Sequence, residues 1–147
     1  MSIKIHDEQG NLVNFLLDQT VRLTKLYIQR QLDFWQLNIT VEQWTLLKII
    51  EAEGMISQVD LAQCALKDTA SITRMLDLLQ KKNLIERSAD NSDRRKFLIS
   101  LTEEGQEMVK KNLQLMNSLW EKTIEGLSEG EINELKQILE KIRRNIS

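Results

Sequence analysis

Apolar residues recur every three or four positions along most of this sequence, which is the spacing of one face of an α-helix. The first such stretch covers residues 12–36, and its apolar positions are spread too widely for a single seam, which indicates contacts on more than one side. Helical spacing returns at Thr102 and continues to the end of the chain, with a capping box at Ser128 and Glu131 between two helices. The pattern therefore predicts long helices at both ends of the chain.

Three shorter helices are predicted between these ends. The first opens with a capping box formed by Thr40 and Gln43. The second covers residues 58–65 behind the N-cap Ser57, and the third covers residues 69–82 with one buried apolar face. Gly54 ends the first of these helices and Asn83 ends the third. Both residue types adopt a left-handed backbone conformation at little cost.

Two segments alternate with the period of a β-strand instead of a helix. Residues 84–88 and 96–101 are the predicted strands, and in the second of them Phe97, Ile99 and Leu101 share one face. A polar tip over residues 89–95 joins them as a hairpin. The predicted fold is mainly α, an α+β winged helix-turn-helix with six helices and a two-stranded β-wing.

The length of 147 residues fits a single domain. Within it, residues 37–102 are predicted to form the DNA-binding lobe, and the helices over 11–36 and 103–147 are predicted to form a dimer. These helices offer more apolar surface than a domain of about sixty residues can cover. The sequence thus predicts a homodimer; the alternative is a monomeric helical bundle.

The charge of the chain is unevenly distributed. The whole protein carries a formal net charge of −2, which by itself indicates no partner. Residues 67–96, however, contain eight basic and five acidic residues, a net charge of +3 that leaves −5 for the rest. Positive charge is therefore concentrated in the predicted winged lobe, where phosphates would lie.

The residue inventory argues against an enzyme. A single cysteine, Cys64, excludes an internal disulfide, and one histidine, His6, cannot build a zinc site or a histidine triad within one chain. The carboxylates of Glu103 and Glu104 are adjacent and so point to different helix faces, and no phosphate-binding glycine loop occurs. We expect no cofactor and no metal. We expect Cys64 to be a small buried thiol, with oxidant sensing as the alternative.

No signal peptide or membrane-spanning stretch is recognisable, so we expect a cytoplasmic protein with no membrane partner. The expected partner is double-stranded DNA, read by a helix in the major groove and by an arginine-tipped hairpin beside it. An ordinary solvated polar surface is the alternative. The candidate DNA-binding residues are Ser57, Gln58, Thr69, Ala70, Ser71, Thr73, Arg74, Asp93, Arg94, Arg95 and Lys96.

The wing segment from Asp93 to Thr102, followed by Glu103-Glu104-Gly105, resembles the MarR family of bacterial transcriptional regulators. Similar residues also occur in the segments 39–44 and 71–74. The resemblance implies an intertwined, triangular homodimer on a pseudopalindromic site. It further implies that Asp93 supports Arg95 for the minor groove, while Arg94 and Lys96 contact phosphates.

The resemblance also implies a repressor that a small aromatic or phenolic effector releases from DNA. Residues that could line the effector pocket are aromatic or flexible apolar side chains, which are otherwise simply core: Phe15, Tyr27, Trp35, Trp44, Met116 and Trp120. A rival hypothesis is a winged-helix interaction module, perhaps an antagonist, that binds protein and not DNA. The basic hairpin tip argues against that rival.

Overall fold

The structure is a computed structural model that describes residues 9–147. His6 lies outside the described residues. The elements in chain order are α1 (Gln9–Phe34), α2 (Val41–Glu53), β1 (Ile56–Ser57), α3 (Gln58–Cys64), α4 (Thr69–Lys81), β2 (Ile85–Ala89), β3 (Phe97–Leu101), α5 (Glu103–Thr123) and α6 (Glu129–Ile146). The mainly helical fold with six helices is confirmed.

Helix ends follow the local chemistry read from the sequence. The backbone N–H of Gln43 donates to Thr40 Oγ1 at 3.0 Å, and Thr40 N–H donates to Gln43 Oε1 at 3.1 Å. The second capping box, at Ser128 and Glu131, is also present. Asn83 has φ +58°, the left-handed conformation predicted for a helix stop.

The sheet has three strands, not the two that alternation predicts. The strand order is β1-β3-β2, and both pairings are antiparallel. Strand β1 consists of only two residues, which pair with Ile99 and Leu98, so it is too short to show a period. In β3 the inner face is Ile99 and Leu101, whereas Phe97 is half exposed at the start of the strand.

The described residues divide into two compact units, the first ending at Gln114 and the second covering residues 115–147. The core of the first unit joins α1, α2, α4 and the sheet. Its fully buried side chains include Ile28, Leu32, Leu47, Ile50, Leu61, Ile72, Leu76, Leu79 and Ile99. In the second unit, α6 has no buried residue.

The junction between the sheet and α5 depends on Thr102 and Gly105. Thr102 caps α5, because its Oγ1 accepts the backbone N–H of Gly105 at 3.0 Å and donates to the carbonyl of Asn83 at 2.6 Å. A Cβ on Gly105 would lie 2.0 Å from the carbonyl oxygen of Leu84, so no side chain fits there. This close approach explains the glycine of the wing motif.

None of the helices in residues 9–147 is long and apolar enough to cross a membrane.

Candidate nucleic-acid interface

A cleft of about 440 Å³ lies between α4 and the hairpin of β2 and β3, which we call the wing. It gathers six of the predicted DNA-binding residues: Ser57, Gln58, Thr69, Thr73, Arg95 and Lys96. The other five do not line it: Ala70, Ser71, Arg74, Asp93 and Arg94. Four lining residues were not predicted, namely Val59, Asp77, Arg87 and Phe97. The fold therefore brings the helix-turn-helix and the wing to one site.

The first turn of α4 is held by Asp68. Its carboxylate accepts the backbone N–H of Ser71 at 2.8 Å and the Ser71 hydroxyl at 2.7 Å. These hydrogen bonds, backbone first, hold the pKa of Asp68 below its usual value, with a smaller contribution from the charge of Arg74. The hydroxyl hydrogen of Ser71 is used within the turn, and its oxygen accepts from Arg74 Nη2 at 3.3 Å. Ser71 therefore contributes to the structure of this turn.

Helix α4 presents a small polar face outward. Ile72 and Leu76 are fully buried, whereas Thr69, Ala70 and Arg74 are exposed. Short side chains at the start of the helix allow close approach to another surface, and Arg74 adds a positive charge beside them. This is the exposed face expected of a helix that enters a major groove.

Gln58, at the start of α3, connects that helix to α4. Its Nε2 donates to Thr73 Oγ1 at 2.8 Å, and the Thr73 hydroxyl donates to the Thr69 carbonyl at 2.8 Å. The amide of Gln58 is thereby held against α4. The pair spans fifteen residues of sequence, so no local pattern reports it.

At the wing tip, Asp93 binds backbone instead of a guanidinium. Its Oδ1 accepts the backbone N–H of Arg95 at 3.0 Å, and its own carbonyl accepts the N–H of Lys96 at 3.0 Å. Among residues 9–147, Asp93 forms no ion pair with Arg95, so it supports Arg95 through the backbone. Asp93 shapes the turn, and the side chains of Arg94 and Arg95 are exposed.

The base of the hairpin tip is stabilised in a similar way by Asp90. Its carboxylate accepts the backbone N–H of Ser92 at 2.9 Å and the Ser92 hydroxyl at 2.7 Å. These two bonds, backbone first, lower the pKa of Asp90, and the nearby charge of Lys96 lowers it further. The hydrogen bonds that lower the pKa of Asp90 are therefore the same ones that order the tip.

Arg87, which the sequence marks only as one more positive charge, ties the wing to α4. From β2, its Nη1 donates to Asp77 Oδ1 at 2.7 Å and to Gln80 Oε1 at 2.9 Å, and Nη2 donates to the Thr73 carbonyl at 3.4 Å. The Arg87 side chain is 16% exposed, and its Nε is buried with no hydrogen-bond partner among the described residues. Because the partners are distant in sequence, only the fold reveals this link.

The turn before α4 is anchored by Glu42 of α2. Its Oε1 lies 3.2 Å from Lys67 Nζ and 3.3 Å from Lys25 Nζ of α1. Partial burial raises the pKa of Glu42, but the hydrogen bonds and charges of the two lysines outweigh it and the pKa is lowered. The Glu42 carboxylate thus links α1, α2 and the turn between α3 and α4.

Cys64, at the end of α3, is exposed. The expectation of a buried thiol was wrong, because α3 buries Leu61 and Ala62 and its last residue faces solvent. The neighbouring Lys67 pairs with Glu42, as described above. Oxidant sensing by Cys64 stays an untested hypothesis.

The six candidate effector-pocket residues differ widely in burial. Trp44 and Met116 are buried, Phe15, Tyr27 and Trp120 are half-buried, and Trp35 is 56% exposed. None of the six lines any of five clefts in residues 9–147, the cleft beside the wing included. Trp35 instead packs edge-on against Phe34, with ring centroids 5.5 Å apart. The effector site stays a prediction.

Comparison with known proteins agrees with this geometry. The model of the MarR family matches residues 39–97, the part of the chain that holds α2, α3, α4 and most of the wing. A mutant of MarR from E. coli complexed with operator DNA is 28% identical, with a TM-score of 0.75, and the match covers 90% of this chain and 91% of that one. Residues 39–97 are thus a MarR family domain. The chain is a winged-helix, DNA-binding transcription regulator.

Other MarR family structures extend the comparison. The S. aureus MepR–DNA complex is 26% identical, with a TM-score of 0.81, and the match covers 90% of this chain and 97% of that one. AbsC from Streptomyces coelicolor, a MarR family transcriptional regulator, shares the fold at 21% identity and a TM-score of 0.83, with 99% and 98% of the two chains covered. The winged-helix fold is confirmed over almost the whole chain.

Proposed function

We propose that this MarR family protein binds pseudopalindromic duplex DNA as a homodimer and represses transcription in the bacterial cytoplasm. Each protomer would place α4 in a major groove, with the two grooves about 34 Å apart along the duplex. The observation that carries the proposal is the cleft between α4 and the wing, which joins polar α4 side chains to two exposed basic residues. The MepR and MarR structures with DNA support the same use of the fold.

The wing would contact the minor groove and its phosphates. Arg95 is exposed, and the Asx turn at Asp93 holds its backbone, so the guanidinium can enter a narrow groove of negative potential. Arg94 and Lys96 would add phosphate contacts. On α4, the exposed guanidinium of Arg74 would leave Ser71 Oγ to contact a base edge.

The proposed dimer rests on apolar surface left uncovered in one protomer. On α1, the exposed apolar residues are Leu12, Val13, Leu16, Val21, Leu23, Leu26 and Phe34. On α6, Leu135, Ile138 and Ile146 are also exposed. Exposed apolar side chains on long helices are typical of subunit interfaces.

We also propose that a small aromatic or phenolic compound releases the protein from DNA. Among the structural neighbours, the DNA binding of BpsR from Bordetella bronchiseptica is regulated by 6-hydroxynicotinic acid. BpsR is 24% identical to this chain, with a TM-score of 0.81, and the match covers 90% of this chain and 98% of that one. Titration of the protein–DNA complex with a panel of aromatic acids and phenols would test release.

Selection of duplexes from a randomised library, followed by binding titrations, tests DNA binding and the wing together. We expect a two-fold-related sequence to be enriched, and Arg95→Ala to weaken its binding by about 1–3 kcal/mol. Lys96→Ala should instead reduce the salt dependence of binding by about one counterion. Lys141→Ala, which removes an exposed lysine of α6, is the matched control.

Enrichment of no sequence at low salt would contradict the proposal, and capture of a protein partner instead would favour an interaction module. Unchanged affinity of the Arg95→Ala variant for the enriched duplex would remove Arg95 from the site. A salt slope unchanged by Lys96→Ala would exclude its phosphate contact.

A further inference from the structure

The hydrogen bonds of Thr73 determine which way the Gln58 amide faces. The Thr73 oxygen lies 2.8 Å from the Thr69 carbonyl, which can only accept, so the single hydroxyl hydrogen points there. The Thr73 oxygen can then only accept from Gln58, and its partner at 2.8 Å is Nε2. The Gln58 Oε1 must therefore face away from Thr73.

This arrangement leaves Gln58 with one free N–H and one free carbonyl oxygen. In residues 9–147, the side chain of Gln58 forms no other hydrogen bond. The side chain is half-buried and lines the cleft between α4 and the wing. The Thr73 hydroxyl, by contrast, donates its only hydrogen to the carbonyl of Thr69, so it cannot donate to a base.

The free pair on Gln58 matches one base edge in the major groove. Adenine presents an N6 amino donor and an N7 acceptor, whereas guanine presents two acceptors and cytosine a donor. We propose that Gln58 reads the adenine of an A·T base pair, and that Thr73 is a positioning residue that holds its amide in register. This inference rests on the proposed binding of duplex DNA through the cleft.

A neighbouring apolar side chain favours the same base pair. Val59 follows Gln58 directly, lines the same cleft and is 56% exposed. An A·T pair carries the C5 methyl group of thymine in its major groove, and apolar side chains contact that methyl. Gln58 and Val59 together therefore present what an A·T pair requires, an amide beside an apolar surface.

Base selection with Gln58→Glu is the direct test. A carboxylate accepts but does not donate, so the preferred partner changes from adenine to the N4 amino group of cytosine. After selection with the wild type, we expect Gln58→Glu to replace adenine by cytosine at one position of each half-site, with a preference changed about tenfold. Gln63→Glu, an exposed residue of the same helix, makes the same charge change outside the cleft and should keep the wild-type preference.

Two variants of Thr73 test its positioning role. Thr73→Val removes the oxygen that accepts from Gln58 while keeping the shape, so the preference for adenine at that position should weaken several-fold. Thr73→Ser retains the hydroxyl and should keep the wild-type preference for adenine. A merely structural role would lower the affinity for every duplex equally and leave the base preference unchanged.

Replacing thymine by uracil at the same base pair tests Val59. The wild type should lose affinity for the duplex without the methyl group, by about threefold to tenfold. Val59→Ala should bind both duplexes equally. Equal binding of both duplexes by the wild type would remove Val59 from the inference.

The outcomes separate this inference from the proposed function. If the wild type enriches no sequence, the proposed function itself is wrong. If the wild type enriches a sequence but Gln58→Glu and Gln58→Ala weaken all duplexes uniformly, Gln58 contacts phosphate and the inference is overturned. A sequence preference untouched by either variant would overturn it equally.

Discussion

Gly105 shows how a single absent side chain allows α5 to approach the backbone at the start of the wing. The start of α5 approaches the Leu84 carbonyl so closely that a methyl group would lie 2.0 Å from the oxygen. Because the obstacle is backbone and not a flexible side chain, relief requires the helix or the strand to move. The wing motif thus contains a packing requirement beside its basic residues.

We expect Gly105→Ala to lower the free energy of unfolding by about 1–3 kcal/mol, since it overpacks this junction. Urea denaturation at a fixed protomer concentration measures the change. Gly130→Ala is the matched control, because its nearest neighbour would be Ser128 Oγ at 3.9 Å. Equal stability of the Gly105 variant and the wild type would show that the junction adapts at no cost.

Asp68 gives the N-terminal turn of α4 a dependence on pH. Its pKa is lowered in the folded protein by the hydrogen bonds from Ser71, so its stabilisation is complete above the ordinary aspartate pKa and is lost as the pH falls through the folded value. Asp68→Asn keeps a good N-cap without a titrating group. We therefore expect the variant to lose less stability than the wild type between pH 7 and pH 3, measured by urea denaturation. Identical losses would contradict this role.

At the scale of elements, the wing and α4 are joined by Arg87. The guanidinium reaches Asp77, Gln80 and the Thr73 carbonyl, so a strand of the wing and the helix beside it are held at one separation. The same helix holds Gln58 through Thr73. The proposed contact of Gln58 with a base and the proposed contact of the wing with DNA therefore both depend on the position of α4.

We expect Arg87→Lys to weaken binding of the selected duplex several-fold and to lower the free energy of unfolding by about 1–2 kcal/mol. Lysine keeps the charge but lacks the planar fork that serves several acceptors at once. Binding titrations and urea denaturation measure the two effects. Arg144→Lys, on the exposed surface of α6, makes the same exchange and should change neither. Unchanged DNA affinity in Arg87→Lys would show that the charge alone matters.

At the scale of the whole molecule, the long helices carry apolar surface that one protomer does not cover. Leu12, Leu16, Leu23 and Leu26 recur at helical spacing along one side of α1, and all four are at least 40% exposed. Exposure of so many leucines on one helix costs solubility unless a partner covers them. The proposed homodimer supplies such a partner.

We expect the double variant Leu16→Glu with Leu23→Glu to weaken dimerisation at least tenfold, because it places charge in an apolar interface. Sedimentation equilibrium measures the dissociation constant. Met55→Glu with Leu66→Glu makes the same exchange at exposed positions of the winged lobe and should leave the protein dimeric. A wild-type protein that sediments as a single chain would contradict the proposed dimer.

The sequence by itself determined the features that depend on neighbouring residues. Both capping boxes, the left-handed stop at Asn83 and the order of six helices around a hairpin follow from interactions within about four residues. The basic wing was recognisable because its motif is contiguous. These features need no knowledge of the fold, since every partner is close along the chain.

The tertiary structure decided what depends on residues that meet only in space. Strand β1 exists because β3 pairs with it, and Arg87 finds Asp77 and Gln80 only after the wing folds against α4. The exposure of Cys64 and the orientation of the Gln58 amide have the same origin. Distant contacts leave no period in a single sequence, so these parts of the site became visible only in the folded chain.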